Sequence, residues 1–166
     1  MSVKNAMSTE IVSIRPNDRV IDAWLLMMET TVSSMPVVDD AGAVVGVLSI
    51  TDVNRHIAER VGKARALREL TGPVSDSKQE DKEEIRELGL AIRAVAESSV
   101  ASVLPKDQKI HSLSPDDSLE RAIHMMAENN VNMLPVLKEG KVVGIVTRQD
   151  VIWVIAGKSG KHPEVS

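Results

Sequence analysis

The 166-residue chain is long enough for one domain or for a tight pair of half-domains. Its net charge of −4 is spread along the chain, and it has no Phe or Tyr and only two Trp, which argues against nucleic acid as a partner. The absence of cysteine excludes disulfides and thiol chemistry, and no apolar run approaches the roughly 20 residues that span a bilayer. Because the N-terminus also lacks the apolar core of a signal peptide, we expect a cytoplasmic protein with no membrane partner.

The chain contains one pattern twice, because residues 11–53 return as residues 110–151. The offset is 99 up to residue 38 and 98 afterwards, since the second copy has lost one residue in a Gly-containing turn, where a length difference is tolerated. A duplicated unit usually packs on its own copy, so two equivalent clefts are expected across a pseudo-twofold axis. The identical pairs before the turn are Ile11/Ile110, Ser13/Ser112, Pro16/Pro115, Asp18/Asp117, Ala23/Ala122, Met27/Met126, Glu29/Glu128, Val32/Val131, Pro36/Pro135 and Val37/Val136.

Each copy is predicted to begin with a short strand, Ile11–Ile14 or Ile110–Leu113, followed by a helix that opens after Pro16 or Pro115. The polar residues expected at the helix starts are Asn17 and Asp116 as N-caps, with Asp18 and Asp117 in the first turn. Apolar residues then recur at helical spacing and predict a core-facing stripe in each helix. The stripes are Val20, Ala23, Trp24, Met27 and Met28, and Leu119, Ala122, Ile123 and Met126, while Met125 and Met133 are further core candidates.

A hairpin of two apolar strands is predicted next in each copy. The strands are Met35–Val38 with Val44–Leu48, and Leu134–Leu137 with Val142–Val146, joined by short Gly-containing turns that make each pair antiparallel. The first strand of each pair contains a proline, which indicates a strand start or a sheet edge. A second helix is expected to begin near Asp52 and near Asp150, so each copy has the order β-α-β-β-α.

Between the copies lie residues 54–101, which are too many for a structureless loop within a compact domain. A break is predicted at Pro73–Ser77, and residues 83–98 are predicted to be helical, with an apolar stripe of Ile85, Leu88, Ile92 and Val95 that needs cover. The chain is therefore divided into a first repeat (1–60), a helical insert (61–101), a second repeat (102–157) and a C-terminal tail (158–166).

The residues most suited to binding form a Gly-x-x-Ser/Thr-x-x-Asp pattern, which occurs as Gly46, Ser49 and Asp52 and again as Gly144, Thr147 and Asp150. A hydroxyl that leaves a strand and the N–H groups of the following helix can hold phosphate, and the carboxylate can accept from ribose hydroxyls. The alternative is a simple helix cap, for which Ser, Thr and Asp are ordinary residues. The repetition at matching positions favours the ligand interpretation.

The two copies differ inside this pattern, because the second has Arg148 where the first has Ile50. An arginine can pair phosphate oxygens bidentately, although a solvated surface charge is the alternative. The four histidines (His56, His111, His124 and His162) have no ligand spacing, so no metal site is expected. Gly157-Lys158-Ser159 lacks the earlier glycine of a phosphate-binding loop and is assigned to the tail. No catalytic residue set is found, which predicts a protein that is not an enzyme and has no catalytic cofactor.

The order of elements and the repeated motifs resemble the cystathionine-β-synthase (CBS) domain, which typically occurs in tandem pairs called Bateman modules. The first copy carries the resemblance in Met7, Ile11–Ile14, Pro16, Ala23, Met27, Met35–Val38 and Gly46–Asp52. The second carries it in Ile110–Leu113, Pro115, Ala122, Met126, Leu134–Leu137 and Gly144–Asp150. The 48-residue segment between the copies is longer than family linkers usually are.

This resemblance implies an α+β fold of two repeats packed sheet to sheet, with an adenine nucleotide (AMP, ADP or ATP) as a regulatory ligand. Ser49 and Asp52, and Thr147, Arg148 and Asp150, would then hold phosphate and ribose. It also implies a homodimer, with a regulated partner protein that the sequence does not identify. A structural or protein-interaction module that acts through the charged insert is the alternative. The residues implied to contact the base are Ile11, Val12, Met35 and Pro36, and Ile110, His111, Leu134 and Pro135.

Overall fold

The computed structural model describes residues 1–72 and 77–157. The break predicted around residue 75 and the tail predicted for residues 158–166, with His162, lie outside the described residues. In chain order the elements are a 3-10 turn (Val3–Asn5), α1 (Val20–Thr30), β1 (Ser34–Val38), β2 (Val44–Ser49), α2 (Ile50–Thr71), α3 (Ser77–Glu97), α4 (Val100–Val103), α5 (Leu119–Asn129), β3 (Met133–Lys138), β4 (Lys141–Thr147) and α6 (Arg148–Ile155).

Two small antiparallel hairpins form the β structure, β1 with β2 and β3 with β4, and β1 lies next to β3. The predicted α+β fold of two matching repeats is confirmed. Pro36 opposes Val47 and Pro135 opposes Ile145, so the two prolines hold the same register. In a two-stranded sheet each strand is an edge, which is where proline is tolerated.

The first strand predicted for each copy is much shorter in the structure than in the sequence pattern. Only Ile14 and Leu113 pair, each in a single parallel bridge to β1 or β3. The Ile14 N–H donates to the Pro36 carbonyl at 3.2 Å, and the Leu113 N–H donates to the Pro135 carbonyl at 3.0 Å. The prediction of four-residue strands was therefore wrong, because the segments before Ile14 and Leu113 run elsewhere.

The predicted helix starts were also wrong, since α1 begins three residues after Asn17 and α5 three residues after Asp116. The first N–H of each helix is satisfied by a distant carbonyl: Val20 donates to Ser98 at 2.9 Å and Leu119 donates to Met1 at 3.0 Å. Ser118 caps α5, whereas α1 has no side-chain cap. Asp18 and Asp117 instead accept the N–H groups of Arg15 and Ser114 in the turns that precede the helices.

Each repeat has its own apolar core, to which the predicted helix stripe contributes three buried residues. The first cluster includes Val20, Ala23, Met27, Met35 and Leu48, and the second includes Leu119, Ala122, Met126, Leu134 and Val146. Met133 is buried as predicted, Met125 packs at the edge of the second cluster, and Trp24 packs at the edge of the first. Met28 and Ile123 were assigned to the core wrongly, because both are exposed.

The segment that precedes each repeat packs on the other repeat. Val3, near the N-terminus, is buried in the core of the second repeat, while Val100 and Val103 of α4 are buried in the core of the first. Backbone pairing follows the same exchange, with Ser8 bridged to Ile145 of β4. We call residues 2–8 and 99–108 the exchanged arms, and they tie the two repeats together.

The insert is helical, as predicted, and it forms a hairpin in which α2 runs without a break through the boundary expected at residue 60. α2 packs along α3, where the Arg68 guanidinium lies 3.7 Å from carboxylate oxygens of both Glu84 and Glu87. The α3 stripe is only partly covered within the chain. Val95 is buried together with Ala91, whereas the other three side chains of the stripe, Ile85, Leu88 and Ile92, are exposed.

Candidate ligand-binding clefts

The first candidate site lies where β2 ends and α2 begins. The carboxylate of Asp52, which is buried, accepts the Ser49 N–H at 3.1 Å and the Ser49 hydroxyl at 2.8 Å through Oδ2. The Asp52 N–H donates to the Ser49 hydroxyl at 3.2 Å, which completes a reciprocal capping box. The turn is therefore fixed before any ligand arrives, with its carboxylate already ordered.

The second candidate site repeats this geometry where β4 meets α6. Asp150 is buried, and its Oδ2 accepts the Thr147 N–H and the Thr147 hydroxyl, both at 2.7 Å. The Asp150 N–H donates to the Thr147 hydroxyl at 3.3 Å. The helix-cap interpretation thus describes the hydrogen bonds of both motifs. In each motif, the cap engages Oδ2 of the carboxylate.

Arg55 is a cation at the first site that the sequence analysis missed. Its guanidinium donates to Asp52 Oδ1 at 3.0 Å, and half of the side chain remains exposed. The sequence does contain a signal for this contact, because Asp52 and Arg55 are three residues apart and such residues are neighbours on a helix face. Comparison of the two repeats did not reveal Arg55, because the equivalent position in α6 is Trp153.

The exchanged arms cover the glycine of each motif. Beside Gly46 lie side-chain atoms of Leu104 and Gln108, and beside Gly144 lie the Met7 side chain and the Ser8 carbonyl. The Ser8 backbone exchanges two hydrogen bonds with Ile145, at 2.9 and 3.0 Å. At the equivalent Val47 the partner is the side-chain amide of Gln108, which accepts the Val47 N–H at 2.9 Å and donates to its carbonyl at 2.8 Å.

Gly144→Ala should therefore destabilise the protein more than Gly46→Ala. A Cβ at Gly144 would lie 3.0 Å from the Ser8 backbone oxygen, which is held by Ile145. A Cβ at Gly46 would meet side-chain atoms alone, a Leu104 methyl group that can rotate and the Gln108 amide oxygen, which Val47 holds by one hydrogen bond. We expect a loss of about 1–3 kcal/mol in the free energy of unfolding for Gly144→Ala, the usual range for overpacking. Urea denaturation of both variants measures this difference. Equal losses would contradict the assignment of a backbone clash to one repeat alone.

The segments predicted to contact the base cross from one repeat to the other. Ile11 and Val12 lie between Ser8, which pairs with β4 of the second repeat, and Ile14, which pairs with β1 of the first. Ile110 and His111 lie between Gln108, which pairs with Val47 of β2, and Leu113, which pairs with β3. All four side chains are half-buried. Each crossing segment therefore begins beside the strand of the opposite repeat that contains the glycine of the Gly-x-x-Ser/Thr-x-x-Asp pattern, and it ends in its own repeat.

The other predicted base contacts lie inside the two cores. Met35 and Leu134 have no exposed surface, and Pro36 and Pro135 are buried beside them. These four side chains are buried within the repeats, so any contact with a ligand would have to come from the main chain of these residues or from neighbouring residues. A strand that is apolar on its buried face carries the same residue types whether or not it lines a cleft, which is why the sequence could not distinguish the two.

Two polar side chains of the second repeat, Arg148 and His111, reach the surface. Arg148 is exposed, although its N–H donates to the Asn132 carbonyl at 3.0 Å. The His111 side chain lines an open groove of about 390 Å³ beside α5. The other residues of that groove are Lys109, Arg121, His124, Met125, Glu128 and Asn129. Across residues 1–72 and 77–157, no cluster of three or more His, Asp or Glu side chains could hold a metal ion, and no helix is long and apolar enough to cross a membrane.

Comparisons with known proteins identify related sequences and folds. A family model described as CBS domain matches residues 3–59 and 100–157. The uncharacterized protein MJ1426 of Methanocaldococcus jannaschii is 28% identical over 153 residues, which are 92% of this chain and 89% of that protein. Of two longer relatives, from the same archaeon and from Methanosarcina acetivorans, the chain spans 34% and 24% of the length.

Two solved structures share the fold and contain bound ligands. CBSX2 in complex with AMP superposes with a TM-score of 0.64 at 23% identity, covering 94% of this chain and 97% of that one. The CBS domain pair of MJ0100, in complex with 5′-methylthioadenosine and S-adenosyl-L-methionine, gives a TM-score of 0.64 at 17% identity. That match covers 95% of this chain and 98% of the other. At these identities the likeness establishes the fold.

Proposed function

This chain belongs to the CBS domain family, and from that premise we propose that it binds an adenine nucleotide, AMP, ADP or ATP, between its two repeats. As a pair of CBS domains it is a regulatory ligand-binding module and not an enzyme. All three ligands in the CBSX2 and MJ0100 structures contain adenine, which supports a ligand of this class. Binding would alter the affinity of the module for a partner protein or for its own copy.

The observation that carries the proposal is the duplicated, buried carboxylate at a helix start. Asp52 and Asp150 occupy equivalent positions, each ordered by a capping box and each following a strand whose glycine lies against an exchanged arm. A helix start needs a cap, but an exposed Ser or Asp would suffice for it, whereas burial of an ionised carboxylate has a desolvation cost. A ribose hydroxyl donated to the carboxylate would offset that cost, as in dinucleotide-binding folds.

We assign each proposed cleft to residues of both repeats. Ser49 and Asp52 would share a cleft with Ile110 and His111, because Gln108 brings that crossing segment to β2. By the same reasoning, Thr147, Arg148 and Asp150 would share a cleft with Ile11 and Val12, which follow Ser8 away from β4. The crossing segments would contact the adenine base through their main chain and half-buried apolar atoms.

The phosphates would be neutralised differently in the two clefts. In the first, Arg55 already lies on Asp52 and would turn its exposed guanidinium toward a phosphate when a ribose hydroxyl takes its place. In the second, Arg148 is exposed at the start of α6, beside the N–H groups of the first helical turn. Both clefts thus have an arginine within reach of the proposed phosphate position.

Arg148→Ala is expected to lower the affinity for ATP more than the affinity for AMP, by roughly two- to fivefold, the range of an exposed ion pair. The effect should shrink at high salt, because exposed charges are screened. Isothermal titration calorimetry with both nucleotides, at low and high salt, measures it. Gln149→Ala, at the neighbouring exposed position, is the matched control and should change neither affinity. An equal loss for ATP and AMP would show that Arg148 does not face the phosphates.

A homodimer in the cytoplasm completes the proposal. The exposed apolar side chains of α3 support self-association, and a chain without cysteine is compatible with a reducing compartment. The same exposed side chains favour a second role, in which the hairpin binds a different protein and the clefts have lost their ligand. Titration separates these functions, since only the first requires binding of a small molecule.

The direct experiment is calorimetric titration of the purified chain with AMP, ADP, ATP, NAD and S-adenosylmethionine. We expect at least one to bind with a micromolar Kd, equivalent to roughly −8 kcal/mol. A thermal shift with the same ligands serves as an independent readout, because a ligand that binds only the folded state raises the Tm. If millimolar concentrations of all five give neither heat nor a shift, the nucleotide proposal is wrong and the interaction module is the remaining account.

A further inference from the structure

The Asp52 carboxylate already has a cation as its partner in the structure. Its side chain is 8% exposed, and its Oδ1 accepts from the Arg55 guanidinium at 3.0 Å, while its Oδ2 accepts the N–H and the hydroxyl of Ser49. The Arg55 side chain is 50% exposed, so this ion pair lies at the boundary between the buried motif and solvent. A ligand that uses the Asp52 carboxylate therefore competes with Arg55.

The competition follows from the number of hydrogen bonds that a carboxylate can accept. An ionised carboxylate has about four acceptor positions, two on each oxygen. Ser49 takes both positions on Oδ2 of Asp52, and Arg55 takes one of the two on Oδ1. A ribose that donates both of its neighbouring hydroxyls needs two positions, so it displaces the Arg55 guanidinium from Oδ1.

This displacement is unfavourable unless the guanidinium gains another anion. A hydrogen bond between two charged groups is stronger than one from a neutral hydroxyl, and a buried carboxylate that loses its ion-pair partner is poorly compensated. Glu59 lies four residues after Arg55 on α2, but its side chain is 53% exposed, and an exposed ion pair contributes little. A phosphate on the same ligand replaces the lost partner with a stronger one, because guanidinium and phosphate pair bidentately.

The second repeat has an uncharged side chain at the matching position. Trp153 follows Asp150 by three residues, as Arg55 follows Asp52, and an indole group does not ionise. The arginine of this motif, Arg148, is exposed and lies two residues before Asp150, and residues two apart do not face each other on a helix. A ribose that binds Asp150 therefore displaces no cation from the position that Arg55 occupies in the first repeat.

We propose that Arg55 determines the specificity of the first cleft, which it restricts to adenine nucleotides that carry a phosphate, while the second cleft also accepts adenosine. The inference rests on the proposed function and adds the ligand class of each cleft. In the first cleft the ribose binds Asp52 and the phosphate binds Arg55, so the two partners of the ion pair hold two parts of one ligand. Without a phosphate, the same ribose leaves Arg55 with no equivalent partner.

The test is a titration of the isotope-labelled chain, which at 18.0 kDa suits two-dimensional NMR, with AMP and with adenosine. The Ser49 and Thr147 amides report on one cleft each, because each N–H donates to the carboxylate of its own motif. From the Ser49 signal we expect AMP to bind at least about tenfold more tightly than adenosine, since hydrogen bonds to charged groups have at least this effect. From the Thr147 signal the preference should stay below about fivefold, the range of an exposed cation.

Arg55→Gln should reduce the preference at Ser49 to below about fivefold, because AMP binds more weakly and adenosine more tightly than in the wild-type chain, and it should leave the Thr147 values unchanged. Arg55→Lys keeps the charge and should keep most of the preference. Arg60→Gln removes an exposed cation from the same helix and is the matched control, with no change expected at either amide. Circular dichroism establishes that the variants are folded.

Equal affinities for AMP and adenosine at Ser49 in the wild-type chain would overturn the inference, as would a preference that survives Arg55→Gln. In both cases the nucleotide proposal stands, since both ligands still bind. A loss of preference in Arg60→Gln equal to that in Arg55→Gln would also overturn it, because the effect would then come from net charge and not from the Asp52 ion pair. If neither ligand shifts either amide, the nucleotide proposal itself fails, and this inference fails with it.

Discussion

Asp150→Ala should weaken adenine nucleotide binding at the second cleft by roughly 10- to 160-fold. The change removes the acceptor proposed for the ribose hydroxyls, and a hydrogen bond to a charged group contributes about 1.5–3 kcal/mol. The same change removes the acceptor for two hydrogen bonds at the start of α6, so the free energy of unfolding should also fall, by about 1–2 kcal/mol. Calorimetric titration and urea denaturation of one sample measure the two effects separately.

Asp117 provides the matched control for this variant. Its carboxylate also accepts the N–H of the residue three positions earlier, Ser114, at 2.8 Å, but it lies in the turn before α5 and not in a proposed cleft. Asp117→Ala should therefore lower stability and leave nucleotide affinity unchanged. If Asp150→Ala behaves in the same way, with affinity intact, then the Asp150 carboxylate is a helix cap and nothing more.

Leu134→Ala should lower the free energy of unfolding by about 2–5 kcal/mol, the range measured for removal of a buried leucine side chain. Leu134 has no exposed surface and belongs to the core of the second repeat, although its sequence position suggested contact with a ligand. The affinity of the molecules that remain folded should not change. Urea denaturation gives the stability, and titration below the start of the thermal transition gives the affinity.

Leu25→Ala is the comparison for the core variant, because Leu25 is an exposed leucine of α1. Its effect should stay within about 0.5 kcal/mol. If Leu134→Ala cost less than about 1 kcal/mol and abolished nucleotide binding, the leucine would belong to the cleft and the placement of the core would be wrong.

The repeated hairpins could be predicted from sequence because their signals are local. Alternating apolar residues, a glycine turn and a proline tolerated at a sheet edge occur twice in the same order, and the structure has both pairs at the expected positions. The approximate start of α2, expected near Asp52 and found at Ile50, has a local signal too, since the hydroxyl of Ser49 and an acid three residues later form a capping box.

The start of α1 could not be predicted, because its first N–H group is satisfied over a long sequence distance, whereas α5 has a local cap in Ser118 that the sequence analysis missed. Val20 donates to Ser98 and Leu119 donates to Met1, so α1 needs no side-chain cap. A rule that looks for a polar residue close to the apolar stripe selected Asn17 and Asp116, which lie outside the helices. At α1 a tertiary contact replaces the local signal, whereas at α5 the local signal is present.

The packing of each exchanged arm on the opposite repeat could not be predicted from sequence for a related reason. Ser8 uses its backbone to pair with Ile145, whereas Gln108 uses its side-chain amide to make the same two hydrogen bonds to Val47. The two residues have no chemical likeness, so comparison of the repeats could not reveal that they play equivalent parts. Consequently, the sequence analysis assigned each base-contacting segment to its own repeat. In the structure, each segment instead starts beside a strand of the opposite repeat and runs from there to its own repeat.

The central claim, that an adenine nucleotide binds at the buried carboxylates, is tested most directly by a crystal structure of the chain grown with the tightest-binding nucleotide. We predict electron density with a ribose hydroxyl within hydrogen-bond distance of the carboxylate of Asp52 or Asp150 and the base against a crossing segment of the opposite repeat. Nucleotide density located elsewhere on the surface, with no ligand contact at either capping box, would contradict the account.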